Sequence, residues 1–252
     1  MSEKLEGLHH NEFNRNERLK NNANLNKKSV EIVRKILSKN DVKANELRER
    51  YKDLGVYVVN LMSSPGSGKT TLLESLSEFE GLRFCVLEGD LQTNRDAARL
   101  KAKGVSAYQI STGEACHLEA LMIESALNEL EKQCDFKTME YLFIENVGNL
   151  VCPASYDLGA SLNLVLLSTP EGDDKVLKYP TMFMCADAVI VSKADLMEHF
   201  NFDINRVKND LAQLKADVPL LLTSSKDRAS IENVKDFISQ RKAQNYHSNH
   251  QF

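Results

Sequence analysis

Short apolar runs recur along the chain between residues 56 and 223, and each has the length of a β-strand. The runs are VYVVNLM (56–62), RFCVLE (83–88), EYLFIE (140–145), NLVLLS (163–168), DAVIVS (187–192) and PLLLT (219–223). Stretches with helical spacing of apolar residues separate them, at residues 70–78, 96–103, 114–132 and 203–216. Near-continuous runs of valine, isoleucine and leucine that alternate with helices are typical of strands buried on both faces. We therefore predict an α/β fold, with a mostly parallel sheet and helices on both faces.

Residues 28–54 precede the first predicted strand and have the pattern of an amphipathic helical extension. Their apolar positions recur with helical spacing among many charges, namely Val30, Ile32, Val33, Ile36, Leu37, Val42 and Leu47. We predict one or two helices that pack on the body of the same chain. Residues 1–27 are rich in Asn, Lys, Arg and Glu and are predicted to be a mobile polar tail. A main domain at 55–242 and a second tail at 243–252 complete the predicted division.

Composition argues against several classes of protein. With 252 residues, of which 42% are apolar, the chain can bury a full core. It has no run of about 18 uncharged apolar residues, and its N-terminus lacks the apolar stretch of a secretory signal. We therefore expect a cytoplasmic protein with no membrane partner. A net charge of −4 gives no general attraction to nucleic acid. Five cysteines without a CxxC pair predict reduced thiols in place of a disulfide scaffold.

The segment NLMSSPGSGKTTLL (60–73) places a glycine-rich loop between a predicted strand and a helix, which is the context of a phosphate-binding loop. Glycines there let backbone N–H groups point inward, toward the phosphates of a nucleotide. The lysine of such a loop reaches the β- and γ-phosphates, and the hydroxyl after it binds Mg²⁺. Ser63 stands where such loops usually begin with glycine, which we interpret as a tolerated change. The candidate phosphate-binding residues are Ser64, Gly66, Ser67, Gly68, Lys69, Thr70 and Thr71.

The segment SKAD (192–195) follows the fifth predicted strand and resembles the Asn-Lys-x-Asp motif that binds guanine. A carboxylate at Asp195 would accept hydrogen bonds from the guanine N1–H and exocyclic amine, whereas adenine offers no such pair of donors. We therefore favour GTP over ATP, although Ser192 makes fewer hydrogen bonds than the usual asparagine. The candidate base-binding residues are Lys193, Asp195, Ser224 and Ser225.

Acidic residues at two strand ends are candidates for binding Mg²⁺ and for orienting the attacking water. Asp90 follows RFCVLE, and Glu145 ends EYLFIE. We favour Asp90 for metal and water, and Glu145 as a further metal or switch residue, without deciding between direct and water-mediated binding. The predicted catalytic residues are then Lys69, Asp90 and Glu145, and the predicted Mg²⁺ ligands are Thr70, Asp90 and Glu145.

A second group of candidates has the chemistry of a soft-metal site. The Ser111, Thr112 and Glu114 region has the pattern of a helix start, which would place Cys116 and His117 in or near the first turn and lower the thiol pKa. Adjacent helical residues point about 100° apart, so joint ligation would need a frayed turn or a second subunit. Cys152 lies in the loop after EYLFIE, on the nucleotide side of the predicted sheet.

Two cysteines and one histidine suit Zn²⁺ or Ni²⁺. The alternative is that these cysteines only pack in the core, as we assume for Cys85, Cys134 and Cys185.

Taken together, the segments that carry these candidates resemble a known family, the hydrogenase nickel-incorporation GTPases called HypB. The resemblance covers residues 57–235 and is carried, in the family's order, by SSPGSGKT, EGDLQTNRDA, GEACHLEA, ENVGNLVCPASYDLG, TPEGDDKVLKYPTMF and SKADL. It implies a P-loop GTPase of the SIMIBI class that binds GTP and Mg²⁺, hydrolyses GTP slowly, and forms a homodimer that depends on nucleotide and metal. It also implies that Cys116, His117 and Cys152 form a nickel or zinc site at the dimer interface. The implied partners are a HypA-type nickel chaperone and the precursor of the nickel-iron hydrogenase large subunit.

The chain departs from some members of that family because it has neither an N-terminal cysteine-rich motif nor a long polyhistidine stretch, only His9 and His10. The alternatives are a urease or cobalamin-enzyme assembly GTPase, a GTP-regulated docking module without metal, and an ATP-dependent kinase. The urease type is less similar, since Cys152 is followed by Pro153-Ala154 and no Cys-Pro-His triplet occurs. We further hypothesise that GTP state changes metal binding, because Cys152 lies on a loop that the γ-phosphate would order.

Overall fold

A computed structural model describes residues 27–90 and 95–249 of the chain. The predicted tail at residues 1–27 therefore lies outside the described residues except for Lys27, and so do His9 and His10. The second predicted tail is described as far as Asn249. Within the described parts, no helix is both long enough and apolar enough to cross a membrane.

A parallel sheet forms the centre of the fold. Its seven strands are β1 (Tyr57–Ser63), β2 (Phe84–Asp90), β3 (Ser106–Ser111), β4 (Tyr141–Glu145), β5 (Leu162–Ser168), β6 (Ala188–Ser192) and β7 (Leu220–Leu222). They are arranged in the order β3-β2-β4-β1-β5-β6-β7, and every described pairing is parallel. The predicted α/β class with a mostly parallel sheet is therefore confirmed.

Sequence analysis missed β3, the edge strand next to β2. Its sequence SAYQIS contains no continuous apolar run, because three of its side chains, Ser106, Tyr108 and Gln109, are only half-buried. Strands at a sheet edge need less apolar surface than central strands, so the pattern used to find the others does not apply to it.

Helices cover both faces of the sheet. They are α1 (Lys27–Asp53), α2 (Lys69–Leu76), α3 (Arg95–Ala102), α4 (Ala120–Leu130), α5 (Lys175–Lys178), α6 (Pro180–Met184), α7 (Ile204–Leu214) and α8 (Arg228–Asn249). Helix α8 crosses the boundary that we placed at residue 242. The helix predicted at 114–132 begins only at Ala120, so that prediction was wrong at its start, and this changes the geometry of the predicted metal ligands Cys116 and His117.

Alternate residues of each strand pack on opposite faces of the sheet. On one face, Leu61, Phe143 and Ile190 pack against α2, α3 and α8. On the other face, the β2 and β4 side packs against α1 and α4, and the β5 and β6 side packs against α5, α6 and α7. Burying one large apolar side chain stabilises the fold by about 1.5–3 kcal/mol, so these layers hold the strand ends in fixed positions.

At the carboxyl ends of the strands, the α2 face changes from apolar to polar. Its last side chains are buried but carry hydroxyl or carboxylate groups; they are Ser63, Glu88, Glu145, Ser168 and Ser192. Ligands of open α/β sheets bind at this edge. Buried polar groups that converge there therefore mark the place to look for a site.

The N-terminal extension is one continuous helix, α1, and it packs on the body of the chain as predicted. Ala44, Leu47 and Tyr51 are buried between α1 and the sheet face that also holds α4. Ion pairs link α1 to α4 through Lys43 and Glu124, and to the residue that follows α4 through Arg50 and Glu131. Helix α1 is thus packed in a defined position next to the loop that leads into α4.

Candidate nucleotide and metal sites

The glycine-rich loop lies between β1 and α2, at the polar edge of the sheet. Gly66 and Gly68 have φ angles of +72° and +93°, in the left-handed region that favours glycine. Helix α2 begins at Lys69, and its first turn closes with a 2.9 Å hydrogen bond from the Leu72 N–H to the Gly68 carbonyl. This places the positive end of a helix beside the loop, where a phosphate group would be stabilised.

Lys69 is buried behind the loop, and its Nζ lies 3.0 Å from Ser63 Oγ. The Ser63 hydroxyl donates in turn to the Ser64 carbonyl at 2.7 Å. Burial lowers the pKa of Lys69, and the nearby Glu145 carboxylate opposes that shift. Ser63 therefore does more than replace a glycine, since its hydroxyl is a hydrogen-bond partner of the lysine expected to reach the phosphates.

Thr70 and Glu145 form the part of the site suited to Mg²⁺. Thr70 Oγ1 donates to Glu145 Oε1 at 2.7 Å, and Glu145 Oε2 is buried with no hydrogen bond among the described residues. Burial raises the pKa of Glu145 to about 7, although Lys69 and Thr70 act against it. A carboxylate oxygen without a partner beside a hydroxyl is a donor set that a hard divalent cation prefers.

Glu88 is a second buried carboxyl at this site, and sequence analysis missed it because it ends an otherwise apolar run. It lies opposite Glu145 in the β2–β4 register and is only 2% exposed. Its Oε2 likewise has no hydrogen bond within the described chain. Burial raises the pKa of Glu88 to about 8, and Glu145 and Asp90 add to the shift. Asp90 itself ends β2, half-buried, directly before undescribed residues 91–94.

On the opposite side of the loop, the SKAD segment braces the loop from β6. Ser192 Oγ donates to the Ser67 carbonyl at 2.6 Å, and Lys193 Nζ donates to the Gly66 carbonyl at 2.8 Å. The short Ser192 hydroxyl thus reaches the loop directly. Thr71 lies on the far side, on α2, with Oγ1 3.5 Å from an Arg99 guanidinium nitrogen.

The Asp195 carboxylate is held by the turn that follows β7. Ser224 Oγ donates to one of its oxygens and Lys226 Nζ to the other, both at 2.8 Å. Lys226, with Ser224, lowers the pKa of Asp195, so this group is charged. Ser225 lies exposed in the same turn. Sequence analysis placed the segment from Thr223 to Lys226 here but did not predict that the Lys226 side chain pairs with Asp195.

Glu171 reaches the loop from the short turn after β5. Ser67 Oγ donates to its Oε1, while Oε2 is buried without a hydrogen bond among the described residues. The two residues are 104 positions apart in the sequence. Their contact depends on the neighbouring positions of β1 and β5, so no local pattern could have indicated it.

Cys116, His117 and Cys152 form a compact cluster beside the nucleotide site. Their candidate ligand atoms all lie within 4.8 Å of one another, and this is the single such histidine, cysteine and carboxylate cluster found in the described chain. The two sulfurs are 2.9 Å apart, and Cys116 Sγ is 4.0 Å from His117 Nδ1. All three side chains are half-buried.

The geometry of this cluster corrects our prediction for Cys116 and His117. They lie in an irregular loop that ends before α4 begins at Ala120, and not in a first helical turn. The 100° separation of helical neighbours therefore does not apply, and both side chains point to Cys152 within one chain. The remaining cysteines lie elsewhere: Cys85 and Cys134 are buried, and Cys185 donates to the Met182 carbonyl.

Two further side chains hold His117 in place. Its Nε2 lies 3.3 Å from Glu119 Oε1, which leaves Nδ1 facing the cysteines. The Tyr156 ring stacks on the imidazole with ring centroids 3.8 Å apart. A carboxylate that accepts from the second ring nitrogen fixes the tautomer in which the first nitrogen can bind a metal.

The loop that carries Cys152 also contacts the glycine-rich loop. The Asn149 N–H donates to the Ser63 carbonyl at 2.8 Å, and its side-chain oxygen accepts from the Val151 and Cys152 N–H groups at 2.7 and 3.2 Å. A β-carbon added to Gly148 would lie 2.7 Å from the Cα atom of Pro65. The metal cluster and the phosphate loop are therefore joined by one short segment.

Comparison with known proteins gives results that agree with this geometry. The profile of "CobW/HypB/UreG, nucleotide-binding domain" matches residues 57–221. The chain is 78% identical over 240 residues to the "Hydrogenase/urease maturation factor HypB" of Helicobacter hepaticus, covering 95% of this chain and 99% of the relative. It is 63% identical over 238 residues to the Helicobacter pylori protein with the same description, covering 94% and 98%.

Solved structures agree as well. A crystal structure described as HypB from Helicobacter pylori in complex with nickel matches with a TM-score of 0.81 and 63% identity, over 85% of this chain and 100% of that one. HypB from Archaeoglobus fulgidus matches with a TM-score of 0.72 and 34% identity, over 81% and 98%. The chain therefore belongs to the CobW/HypB/UreG family of P-loop GTPases and, within it, to the HypB proteins.

Proposed function

We propose that this protein is a GTP-hydrolysing nickel metallochaperone that couples its nucleotide state to metal delivery during the maturation of nickel-iron hydrogenase. The observation that carries this proposal is the cluster of Cys116, His117 and Cys152 on loops next to a phosphate-binding loop. The Helicobacter relatives are described as hydrogenase/urease maturation factors. Delivery of nickel to urease as well is therefore part of the same proposal.

GTP and Mg²⁺ fit the residues at the polar edge of the sheet. The backbone from Ser64 to Thr71 would surround the phosphates, with Lys69 on the β- and γ-phosphates. Thr70, Glu145 and Asp90 would hold Mg²⁺, which neutralises developing negative charge on the phosphates when it is bound. Asp195 would accept hydrogen bonds from guanine, exchanging its present partners Ser224 and Lys226 for the base.

Nickel is the proposed cargo, with zinc as the alternative occupant of the same ligands. Two thiolates and an imidazole nitrogen suit either ion. Nickel is favoured because the Helicobacter pylori relative was crystallised in complex with it. The half-buried cluster would leave a coordination position that a second copy of the chain or a receiving protein could fill.

We propose that a GTP-dependent homodimer couples the nucleotide state to metal delivery. Val151, directly before the ligand Cys152, is 57% exposed, so an apolar side chain stands at the rim of the cluster. The proposed partners are a HypA-type nickel chaperone, which would supply the metal, and the hydrogenase large-subunit precursor, which would receive it. A docking module without metal is the main alternative.

Nickel titration of matched cysteine variants tests the metal proposal. We expect wild-type protein to bind one nickel ion per cluster and Cys152→Ala to lose it, because two remaining ligands cannot hold the ion at micromolar concentration. Cys185→Ala is the control, since Cys185 is not one of the three residues of the cluster, and it should bind as wild type does. Unchanged stoichiometry in Cys152→Ala would support the docking module instead.

Competition between nucleotides tests the GTPase proposal. Wild-type protein should prefer GTP over ATP, and Asp195→Ala should lose most of that preference, since the base-facing carboxylate is gone. The exposed Asp236→Ala is the control and should keep the preference. Lys69→Ala should bind nucleotide poorly and show no turnover. A wild-type preference for ATP would contradict the proposal.

A further inference from the structure

Asn40 lies in the middle of α1, far in sequence from every residue of the metal cluster, yet its side chain connects the two segments that carry the ligands. Its Nδ2 donates to the Asp157 carbonyl at 2.8 Å, and its Oδ1 accepts from the Ala120 N–H at 2.8 Å. Because asparagine is a weak helix former, helix propensity does not explain its place in the middle of α1. The nitrogen and the oxygen of this buried amide each have a partner, and the two partners lie in different segments, so the side chain is a bridge between them.

One end of the bridge fixes the segment of Cys116 and His117. Ala120 is the first residue of α4, and its N–H is among those that a helix leaves without an internal partner. The N-cap residue Glu119 makes no side-chain capping bond. Its carboxylate faces His117 instead, 3.3 Å from Nε2. Asn40 thus caps α4 from another helix and leaves Glu119 available to orient the imidazole.

The other end fixes the segment of Cys152. The Asp157 carbonyl follows Tyr156, whose ring stacks on His117. Three other contacts hold this stretch against α1: Arg48 pairs with the Asp157 carboxylate, Tyr51 donates to the Leu158 carbonyl at 3.1 Å, and a β-carbon at Gly159 would lie 2.7 Å from the Ala44 carbonyl oxygen. Both ligand segments are therefore held in position by contacts with the same helix, α1.

We infer that Asn40 is a positioning residue of the metal site, whose side-chain amide sets the separation between the Cys116–His117 segment and the Cys152 segment. The inference rests on the proposed metal-binding function of that cluster. Asn40 itself would not touch the metal. It acts through the backbone on either side of the ligands, so its loss should change how closely the ligands converge and leave their chemical identity unchanged.

The first test is nickel affinity, measured by competition with a chelator. Asn40→Ala should bind nickel about 10- to 100-fold more weakly, as is usual when an outer partner of a metal ligand is removed. The thiolate-to-nickel absorption band should change in shape, whereas GDP affinity should stay as in wild type. Asn45→Ala is the matched control, because Asn45 lies exposed on the same helix and accepts from one guanidinium nitrogen of Arg48, while a different nitrogen of Arg48 pairs with Asp157.

The second test needs no metal and measures the approach of the thiols directly. In a glutathione redox buffer, the Cys116 and Cys152 thiols reduce one glutathione disulfide to two glutathione thiols and form one protein disulfide, with both protons passing to glutathione. Peptide mapping follows that disulfide separately from the other cysteines. The effective concentration of the two thiols should fall about tenfold in Asn40→Ala and stay unchanged in Asn45→Ala.

These measurements test the metal-binding proposal and the positioning role of Asn40 separately. If the wild-type protein binds no nickel through its cysteines, the metal proposal is wrong. The thiol-exchange experiment would still show whether Asn40 positions the two segments. Equal nickel affinity and equal thiol exchange in the Asn40 and Asn45 variants would overturn the inference. If Asn40→Ala fails to fold, Asn40→Asp replaces it in both experiments. This variant keeps the acceptor for the Ala120 N–H and loses the donor to the Asp157 carbonyl. The decreases in nickel affinity and in effective thiol concentration should then be present but smaller.

Discussion

At the scale of single residues, the nucleotide site is notable for buried acid groups. Glu88, Glu145 and Glu171 each have a carboxylate oxygen that is buried without a hydrogen bond among the described residues. Leaving such an oxygen unpaired is unfavourable, and two neighbouring carboxylates repel each other. The pocket is therefore electrostatically suited to a cation, and its acids are stabilised when one is bound.

The Glu88 carboxyl should make the nucleotide-free protein less stable as pH rises. Its pKa is about 8 in the folded protein and 4.5 in its ordinary state, so its contribution to stability is fully present below pH 4.5 and is lost as pH rises through 8. Glu88→Gln should remove this loss and raise Tm at pH 8 by a few degrees, about 2–4 °C per kcal/mol for a chain of this size. Thermal unfolding at pH 6 and pH 8 without nucleotide measures it.

Glu129→Gln is the control for that experiment, since Glu129 forms an exposed ion pair with Lys132. Exposed pairs contribute little to stability, so Tm should hardly change at either pH. A Glu88→Gln protein that melts lower than wild type at pH 8 would contradict the electrostatic interpretation of the pocket.

The sequence alone was enough to propose site residues that lie in contiguous motifs. The phosphate loop, the SKAD segment and the cysteine–histidine pair are contiguous motifs, and the structure brings their side chains to one edge of the sheet. Glu88, Glu171 and Asn40 were missed for a different reason. Each acts through a partner distant in the sequence, or is hidden at the end of an apolar run, so its role depends on which strands and helices become neighbours.

At the scale of elements, the loop before α4 shows where a local pattern misled us. Ser111, Thr112 and Glu114 have the composition of a helix start, but α4 begins at Ala120. Its cap comes from Asn40 of α1, which no rule based on adjacent residues can find. Because the intervening loop is irregular, Cys116 and His117 are free of helical geometry and can face the same point.

The loop after β4 is the element that joins the two sites. Its Gly148 packs against Pro65 of the phosphate loop, and its Asn149 contacts Ser63 and caps the turn that carries Cys152. Displacement of the phosphate loop must therefore move the backbone beside Cys152. These contacts are a physical route for the proposed coupling between the two sites.

Gly148→Ala should disturb both sites at once. The added β-carbon would lie 2.7 Å from the Pro65 Cα atom, which is backbone and cannot rotate away. We expect GDP and nickel to bind about tenfold more weakly, equivalent to about 1.4 kcal/mol at each site. Val151→Ala, an exposed position on the same loop, should leave nucleotide affinity unchanged. A Gly148→Ala protein with normal GDP affinity would show that the loop contact does not matter.

At the scale of the whole molecule, the polar edge of one sheet face provides the candidate nucleotide site, and loops at the same edge carry the cluster of Cys116, His117 and Cys152. Helix α1 and the central strands hold the surroundings of both sites fixed. The segment from Glu145 to Cys152 connects them. If each ligand changes the position of that segment, thermodynamic reciprocity requires that each also changes the affinity for the other.

The most direct test of this account is the nickel affinity of the wild-type protein in two nucleotide states. Nickel titrations would be run with GDP and with a non-hydrolysable GTP analogue, both with Mg²⁺, while molar mass is measured in the same samples. We predict at least about a fivefold tighter nickel affinity with the GTP analogue, the lower end of typical allosteric coupling, together with a shift toward the dimer. Equal nickel affinity and equal mass in both states would contradict the account.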